Sequence, residues 1–373
     1  MYKKFFMGIA AMAALTLVSC SSDDLNSFSD NSSKNEAISF DGYLGRSAVS
    51  VNGTRGSVLN VTALQNSAEG FGVFGNYSST GGTTPTYGEN LFENVPVTYK
   101  TSAWTYSPLK FWPEQGHIDF LAYAPYDATK TLKAKNATET ALTCIDFKVD
   151  KEIAKQKDLL WANAVGQTKD KISTTGNKVK FHFYHALSRL GYTVKLYGNY
   201  SSDNVTFTLK KITLAGSPDD ETKGAFYTSG TIDLSKANKD AGLWSGQTGQ
   251  QKFDWFSGNY QVKSSTASHP DGTIEKDKDY LFVIPQNFSL TTEGADKLYV
   301  IVEYEVTYNS GTKTTIKNKV YKQIKKHFLQ GTAYMLNLTI GLPIEFDVAV
   351  DGVEGWGTDE EINIGSNDTP WER

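Results

Sequence analysis

Two histidines are the first candidates for chemistry in this sequence. His182 and His185 stand three positions apart, a spacing that suits two metal ligands on one face of a helix. They follow an alternating apolar pattern, Val179, Phe181 and Phe183, which predicts a strand. Because side chains alternate across a strand, an offset of three places the two imidazoles on opposite faces. We therefore predict structural roles for both histidines and no metal site.

Other reactive residues stand in patterns that argue against catalysis. Cys144 lies in an apolar, strand-like stretch, where a free thiol usually acts as a small buried hydrophobe. Asp347 and Asp351 lack the ligand spacing of a calcium-binding loop. The sequence holds no Gly-x-Ser-x-Gly, no His-Glu-x-x-His and no phosphate-binding glycine loop. We predict no catalytic residue, no metal and no cofactor, and an envelope enzyme is the least favoured function.

Cys20 is the one residue for which the sequence predicts covalent chemistry. Lys3 and Lys4 precede an apolar run over residues 5–18, which at about 1.5 Å per residue is too short to span a bilayer core of about 30 Å. The run suits a cleavable secretory signal over residues 1–19. It ends Leu-Val-Ser-Cys, which resembles the lipobox of bacterial lipoproteins and implies acylation of the Cys20 sulfur. An ordinary signal peptide with an incidental cysteine is the alternative.

The stretch that follows Cys20 reads as a flexible tether. Residues 20–36 are rich in Ser, Asn and Asp and offer little apolar surface to bury. The acidic pair Asp23 and Asp24 resembles the surface-export signal of Bacteroidetes lipoproteins. We therefore expect a protein on the cell surface, anchored to outer-membrane lipid through Cys20.

The composition favours strands and turns over helices. With 20 Tyr, 20 Phe and 32 Gly, the chain is rich in strand and turn formers, and its net charge of −4 gives no reason to expect a nucleic-acid partner. Many short alternating segments separated by polar turns predict an all-β fold of sandwiches with minor helix. The predicted strands include residues 178–184, 191–197, 204–214, 298–308, 314–323 and 333–341.

The few other elements are predicted from local composition. Helices are expected at residues 59–66 and 157–164, and an elaborated loop at residues 242–263. The polar stretch over residues 167–177 suggests a boundary between an N-terminal domain over residues 37–170 and a C-terminal domain over residues 171–373.

An ordered series of short motifs resembles the fimbrillin family, the pilins of Bacteroidetes type V pili. The first is Ala-Ile-Ser-Phe-Asp-Gly-Tyr-Leu at residues 37–44, and the others follow along most of the chain at residues 54–56, 70–75, 108–113, 117–125, 158–162, 179–190, 331–338 and 356–357. The resemblance implies two tandem transthyretin-like β-sandwich domains. It also implies a pilin subunit made as a lipoprotein, trimmed by an Arg/Lys-specific surface protease, and polymerised with other pilin subunits into an adhesive fimbria.

In that family the first strand is lost by proteolysis and a strand of the next subunit takes its place. The resemblance implies that Ile38, Phe40 and Leu44 belong to the displaced strand here, and that either Arg46 or Arg55 is the cut site. Residues 344–350 repeat the same alternation, which makes them a candidate donor strand or, alternatively, the last strand of the second sandwich. The apolar side chains of this candidate donor are Ile344, Phe346, Val348 and Val350. A stalk, tip or anchor position in the fibre stays open.

A function of a different class competes with the pilin. The chain could be a monomeric outer-membrane surface lipoprotein that binds glycans through exposed aromatic side chains such as Trp244 and Trp255. Burial of those indoles in a core is the more ordinary explanation of such residues.

Overall fold

The computed structural model describes residues 36–44, 59, 61–200, 204–237, 242–270, 280–342 and 346–352. Of residue 43 and of residues 346–352 it describes the backbone. The predicted signal, the tether up to residue 35, and the residues Cys20, Arg46, Arg55 and Ile344 lie outside the described part.

Strands account for almost all of the regular structure. The first half contains β1 (Phe40–Leu44), β2 (Phe71–Ser78), β3 (Glu89–Lys100), β4 (Ala103–Thr105), β5 (His117–Ala124), β6 (Lys133–Ala134), β7 (Leu142–Lys148), β8 (Leu160–Gln167) and β9 (Val179–His185). The second half contains β10 (Ser188–Leu196), β11 (Val205–Ala215), β12 (Phe226–Asp233), β13 (Trp244–Gln251), β14 (Phe253–Val262), β15 (Leu281–Val283), β16 (Gln286–Asn287), β17 (Tyr299–Tyr308), β18 (Thr314–Gln323), β19 (His327–Phe328), β20 (Ala333–Ile340) and β21 (Phe346–Gly352).

Two short helices, α1 (Val61–Asn66) and α2 (Lys169–Ser173), and a 3₁₀ turn at Ile153–Lys155 accompany the strands. The Thr168 side chain caps α2 by accepting a hydrogen bond from the backbone N–H of Lys171. The prediction of an all-β sandwich fold with minor helix is confirmed.

The strands form one large sheet and several smaller ones. The large sheet has seven strands in the order β1-β9-β8-β5-β2-β3-β4. Three sheets of four strands have the orders β15-β10-β20-β21, β14-β11-β17-β18 and β13-β12-β7-β6, and β16 pairs with β19.

The seven-stranded sheet has a hydrophobic core on each of its faces. All residues of β5 are buried: Phe120 and Ala122 point into a first core, which also holds β1, whereas Leu121 and Tyr123 point into a second core shared with the C-terminal sheets. A strand covered on both faces needs a continuous apolar run, which is the pattern that β5 shows.

The same double burial explains a wrong prediction. The helix expected at residues 157–164 is instead β8, whose Leu160 and Ala162 lie in the first core and whose Trp161 lies in the second. A short run that is apolar on both faces has no period of two, and periodicity alone does not separate it from a helix. The helix expected at residues 59–66 is confirmed as α1.

The loop expected at residues 242–263 is also wrong, because these residues form β13 and β14. Glycine and glutamine made the stretch resemble a loop. Its strands are held by pairing with β12 and β11 respectively, which composition does not reveal.

Strand pairing does not follow the predicted domain boundary after residue 170. β9 lies between β1 and β8 in the seven-stranded sheet, and its Phe181 and Phe183 belong to the first core. Conversely, β7, which precedes the predicted boundary, pairs with β12, which follows it. The polar stretch over residues 167–177 contains α2 and connects two strands of one sheet.

In the part of the chain that the structure describes, no helix is long and apolar enough to cross a membrane.

Candidate functional site

The first strand occupies one edge of the seven-stranded sheet. β1 runs parallel to β9, with Phe40 opposite Val179 and Leu44 opposite Phe183. The backbone N–H of Val179 donates to the carbonyl of Ser39 at 2.9 Å. β8 meets β9 at only two described positions, opposite Tyr184 and His185, so β1 supplies the pairing along the rest of that strand.

The residues just before β1 pair with a different segment. The N–H of Ile38 donates to the carbonyl of Lys110 at 2.8 Å, and the N–H of Trp112 donates to the carbonyl of Glu36 at 3.0 Å. The Tyr106 hydroxyl donates to the carbonyl of Ile38 at 2.8 Å. The N-terminal segment is therefore held by main-chain hydrogen bonds on two sides. We call the space that residues 38–44 fill the β1 slot.

The side chains of this segment complete the first core. Ile38, Phe40 and Leu44 are 1%, 2% and 8% exposed. Complete burial of one such side chain is worth about 1.5–3 kcal/mol. The ring of Phe40 contacts four others, those of Phe92, Tyr106, Phe120 and Phe181, at centroid distances of 5.3–5.7 Å.

The chain is held again shortly after β1. The N–H of Leu59 donates to Oδ2 of Asp158 at 3.1 Å, and the same oxygen lies 2.8 Å from Nδ1 of His185. The side chains of Asp158 and His185 are both buried. Arg46 and Arg55 belong to the sequence between these two attachments, outside the described residues.

The candidate donor segment is paired within its own subunit. β21 runs antiparallel to β20 at the edge of a four-stranded sheet, with Phe346 opposite Ile340, Val348 opposite Leu338 and Val350 opposite Leu336. An edge strand is held by one neighbour alone, which makes it the easiest strand of a sheet to release.

The histidines and the free cysteine have structural surroundings. His182 stacks on Tyr184 with ring centroids 4.3 Å apart, and burial lowers its pKa, while His185 points to Asp158. Burial raises the pKa of the Cys144 thiol, which keeps it protonated and unreactive. No group of three or more potential metal ligands occurs among the described residues.

The two tryptophans of the glycan-binding alternative are buried. Trp244 is 8% exposed and donates from Nε1 to the carbonyl of Ala186 at 2.8 Å, and Trp255 is 6% exposed beside Tyr192. Neither indole offers a flat exposed face of the kind that sugar rings stack on.

Several residues of the β1 slot are not predicted from the sequence. The N-terminal strand is contacted by Tyr106 and by the segment over residues 110–112, which are distant in sequence. Ile38 and Tyr106 are 68 positions apart. The motif at residues 108–113 is part of the family resemblance, and it is the one signal that could have drawn attention to this segment.

Comparisons with known proteins identify the family. The fimbrillin-like family model matches residues 54–371. The fimbrium subunit Fim1C of Phocaeicola vulgatus is 27% identical over 386 aligned positions, covering 95% of this chain and 97% of that protein. A fimbrial protein from Bacteroides vulgatus, known from its crystal structure, has a TM-score of 0.62 at 19% identity, covering 86% of this chain and 99% of the other. The structural likeness shows the fold alone, but the family match spans most of the sequence: the chain belongs to the fimbrillin-like family.

Proposed function

We propose that the chain is a structural subunit of a cell-surface fimbria that polymerises by donor-strand exchange and supports adhesion. In this scheme β1 leaves the β1 slot after proteolysis, and a strand of another fimbrial subunit enters. The observation that carries the proposal is the placement of β1, an edge strand near the N-terminus whose apolar side chains fill the first core. The similarity of the whole chain to the fimbrium subunit Fim1C supports the assignment to a fimbria.

Without β1, the empty β1 slot would be energetically unfavourable until another strand fills it. Without β1, the β9 backbone from Val179 to Phe183 would lose the partners described for it, and the rings around Phe40 would border a cavity. Unpaired main-chain groups and exposed apolar surface are both costly. An incoming strand restores both, with main-chain hydrogen bonds for affinity and alternating side chains for specificity.

Export and trimming complete the scheme. The precursor travels as a lipoprotein held in outer-membrane lipid by Cys20, and an Arg/Lys-specific surface protease cuts after Arg46 or Arg55. Either cut separates the lipid and β1 from the rest of the subunit. The attachment of Leu59 to Asp158 supports this arrangement, because the chain downstream of both arginines is independently held.

The donor is proposed to be the C-terminal segment of a neighbouring subunit. In this chain that segment is β21, which would release from β20 and enter another subunit's slot. Since β21 is an edge strand, its departure leaves the remaining order β15-β10-β20 of that sheet intact. The role is structural, not catalytic.

Limited trypsin digestion of the purified chain, lacking its leader, tests the proposal. We expect mass spectrometry to find a first cut after Arg46 or Arg55, and we expect the cut chain to form oligomers once a donor subunit is added. A variant carrying both Arg46→Gln and Arg55→Gln should stay uncut in this region and monomeric under the same conditions. Oligomers formed equally by the uncut variant, or a nicked chain that stays monomeric with every added donor, would contradict the scheme.

A further inference from the structure

Gly42 lies at a point of the β1 slot where there is little room for a side chain. A Cβ added to Gly42 would lie 3.2 Å from Cε2 of Phe183 and 3.7 Å from Cε1 of Phe71. Carbon atoms attract best at about 3.5–4.0 Å, so the Phe183 ring would have to move for any larger residue. The φ angle of Gly42 lies outside the left-handed region. The neighbouring ring, not the backbone, is therefore what favours glycine here.

The two rings that border Gly42 are held in place by others. Phe183 is 1% exposed and meets Phe71 edge to face at 5.2 Å, and Phe71 meets Trp104 in the same way at 4.8 Å. The Phe181 ring lies 6.0 Å from that of Phe183 and 5.8 Å from that of Phe71. We call Gly42, Phe71 and Phe183 the waist of the slot. Packing this dense leaves the waist little room to widen.

The chain's own C-terminal segment has a larger residue at the corresponding position. Residues 38–44 read Ile-Ser-Phe-Asp-Gly-Tyr-Leu, and residues 344–350 read Ile-Glu-Phe-Asp-Val-Ala-Val. Aligning the shared Ile-x-Phe-Asp pattern places Val348 on Gly42. The Cβ of a valine at this position would already lie 3.2 Å from the Phe183 ring, and the two γ-methyl groups add volume beyond that Cβ.

We propose that the waist selects the donor strand, and that it admits a strand with glycine two residues after the aromatic side chain. This inference rests on the proposed strand exchange. The chain's own C-terminal segment, with Val348 at that point, is a poor donor for its own slot. The preferred partner is therefore a fimbrial subunit of different sequence whose donor strand carries the glycine, and not a second copy of this chain.

Peptide binding to the trypsin-nicked chain tests the proposal by fluorescence anisotropy. The probes are labelled peptides with the sequences of residues 36–44 and 344–352, each with and without one change at the waist. Gly42→Val in the first peptide should weaken binding by about tenfold or more, since overpacking a filled site is costly. Val348→Gly in the second should tighten binding several-fold. The control is Asp41→Val in the first peptide, which adds the same side chain next to the waist and should change affinity little.

The expected direction of the change in peptide affinity is diagnostic, because two general properties of valine would change the affinity in the opposite direction. Valine buries more apolar surface than glycine and has the higher strand propensity, so without a waist both valine peptides would bind more tightly. If the peptide of residues 36–44 binds but its Gly42→Val form binds equally well or better, the selection is overturned while strand exchange stands. If the unmodified peptide fails to bind at all, strand exchange fails and the selection falls with it.

Urea unfolding of the intact chain tests the waist without any exchange. Gly42→Val should lower the unfolding midpoint, although replacing glycine in a strand usually raises it. The penalty should shrink in a Phe183→Leu background, and the double-mutant comparison removes the cost of Phe183→Leu itself. A Gly42→Val midpoint equal to or above that of the unchanged chain, or the same penalty in both backgrounds, would overturn the proposal.

Discussion

The rings of Phe40 and Phe181 stack with their centroids 5.6 Å apart and an angle of 25° between their planes. Phe40 belongs to the edge strand β1, and Phe181 belongs to β9, which lies beside β1 in the sheet. The contact places a side chain of an edge strand among the aromatic rings of the first core. The strand proposed to leave the molecule is therefore also a part of its core.

Phe40→Ala should lower the free energy of unfolding of the intact chain by about 3–5 kcal/mol, the cost typical of removing a buried phenylalanine side chain. The loss reflects the cavity left among Phe92, Tyr106, Phe120 and Phe181. Urea unfolding followed by tryptophan fluorescence measures it.

Phe111→Ala is the matched control for that change. Phe111 belongs to the segment that pairs with the residues before β1, but its side chain is 49% exposed, so its loss should cost less than about 1 kcal/mol. Equal effects of the two substitutions would show that Phe40 is not a core residue.

The raised pKa of the buried Tyr87 hydroxyl leads us to expect that the stability of the fold falls at high pH. Burial raises its pKa from the ordinary 10.0 to about 12, against an opposing hydrogen bond with Ser235. The folded chain therefore holds the phenolic proton more tightly than the unfolded chain does. This contribution is complete below pH 10 and is lost as the pH rises from about 10 towards about 12.

Replacing Tyr87 by Phe should make the free energy of unfolding fall less steeply between pH 10 and pH 12. Urea unfolding at a series of pH values measures the slope, which is independent of any constant loss from the missing hydroxyl. Parallel curves for Tyr87→Phe and the unchanged chain would refute this role of burial.

Cys20→Ala should abolish lipidation in a bacterial host that expresses the full precursor. The lipobox resemblance implies acyl chains on this sulfur, and their loss would remove the proposed membrane anchor. Incorporation of labelled palmitate and fractionation of the membranes measure the two effects. Cys144→Ala should keep both the label and the membrane location, and a labelled Cys20→Ala protein would refute the lipidation site.

Two charges in the C-terminal segment should prevent assembly. Phe346→Asp combined with Val348→Asp places carboxylates where a donor strand needs apolar side chains, so the variant should be inactive as a donor in any acceptor slot. Assembly is followed by size-exclusion chromatography of nicked subunits mixed with acceptor subunits. Asp347→Asn, between the two positions, should assemble normally. Normal assembly of the double variant would exclude residues 344–350 as the donor.

The alternation of Ile38, Phe40 and Leu44 predicts a half-buried strand, and the structure has β1 there with all three side chains buried. Local pattern does not predict the partners of that strand, because β9 and Tyr106 are distant in sequence. A different error concerns Trp161. Its run is apolar on both faces, so the sequence pattern predicts a helix where the structure has the strand β8. The two-residue alternation of apolar side chains identifies a strand where one face of the sheet meets solvent. It is absent where the sheet has a core on each side.

Exchange of the N-terminal strand is the most direct test of the central claim. The trypsin-nicked chain is incubated with excess isotope-labelled peptide of residues 36–44, and native mass spectrometry follows the complex over time. Strand exchange predicts that the labelled peptide replaces the original strand in a one-to-one complex. A nicked chain that keeps its original strand indefinitely, or that loses it without taking up the labelled peptide, would contradict the proposal that this slot can be emptied and refilled.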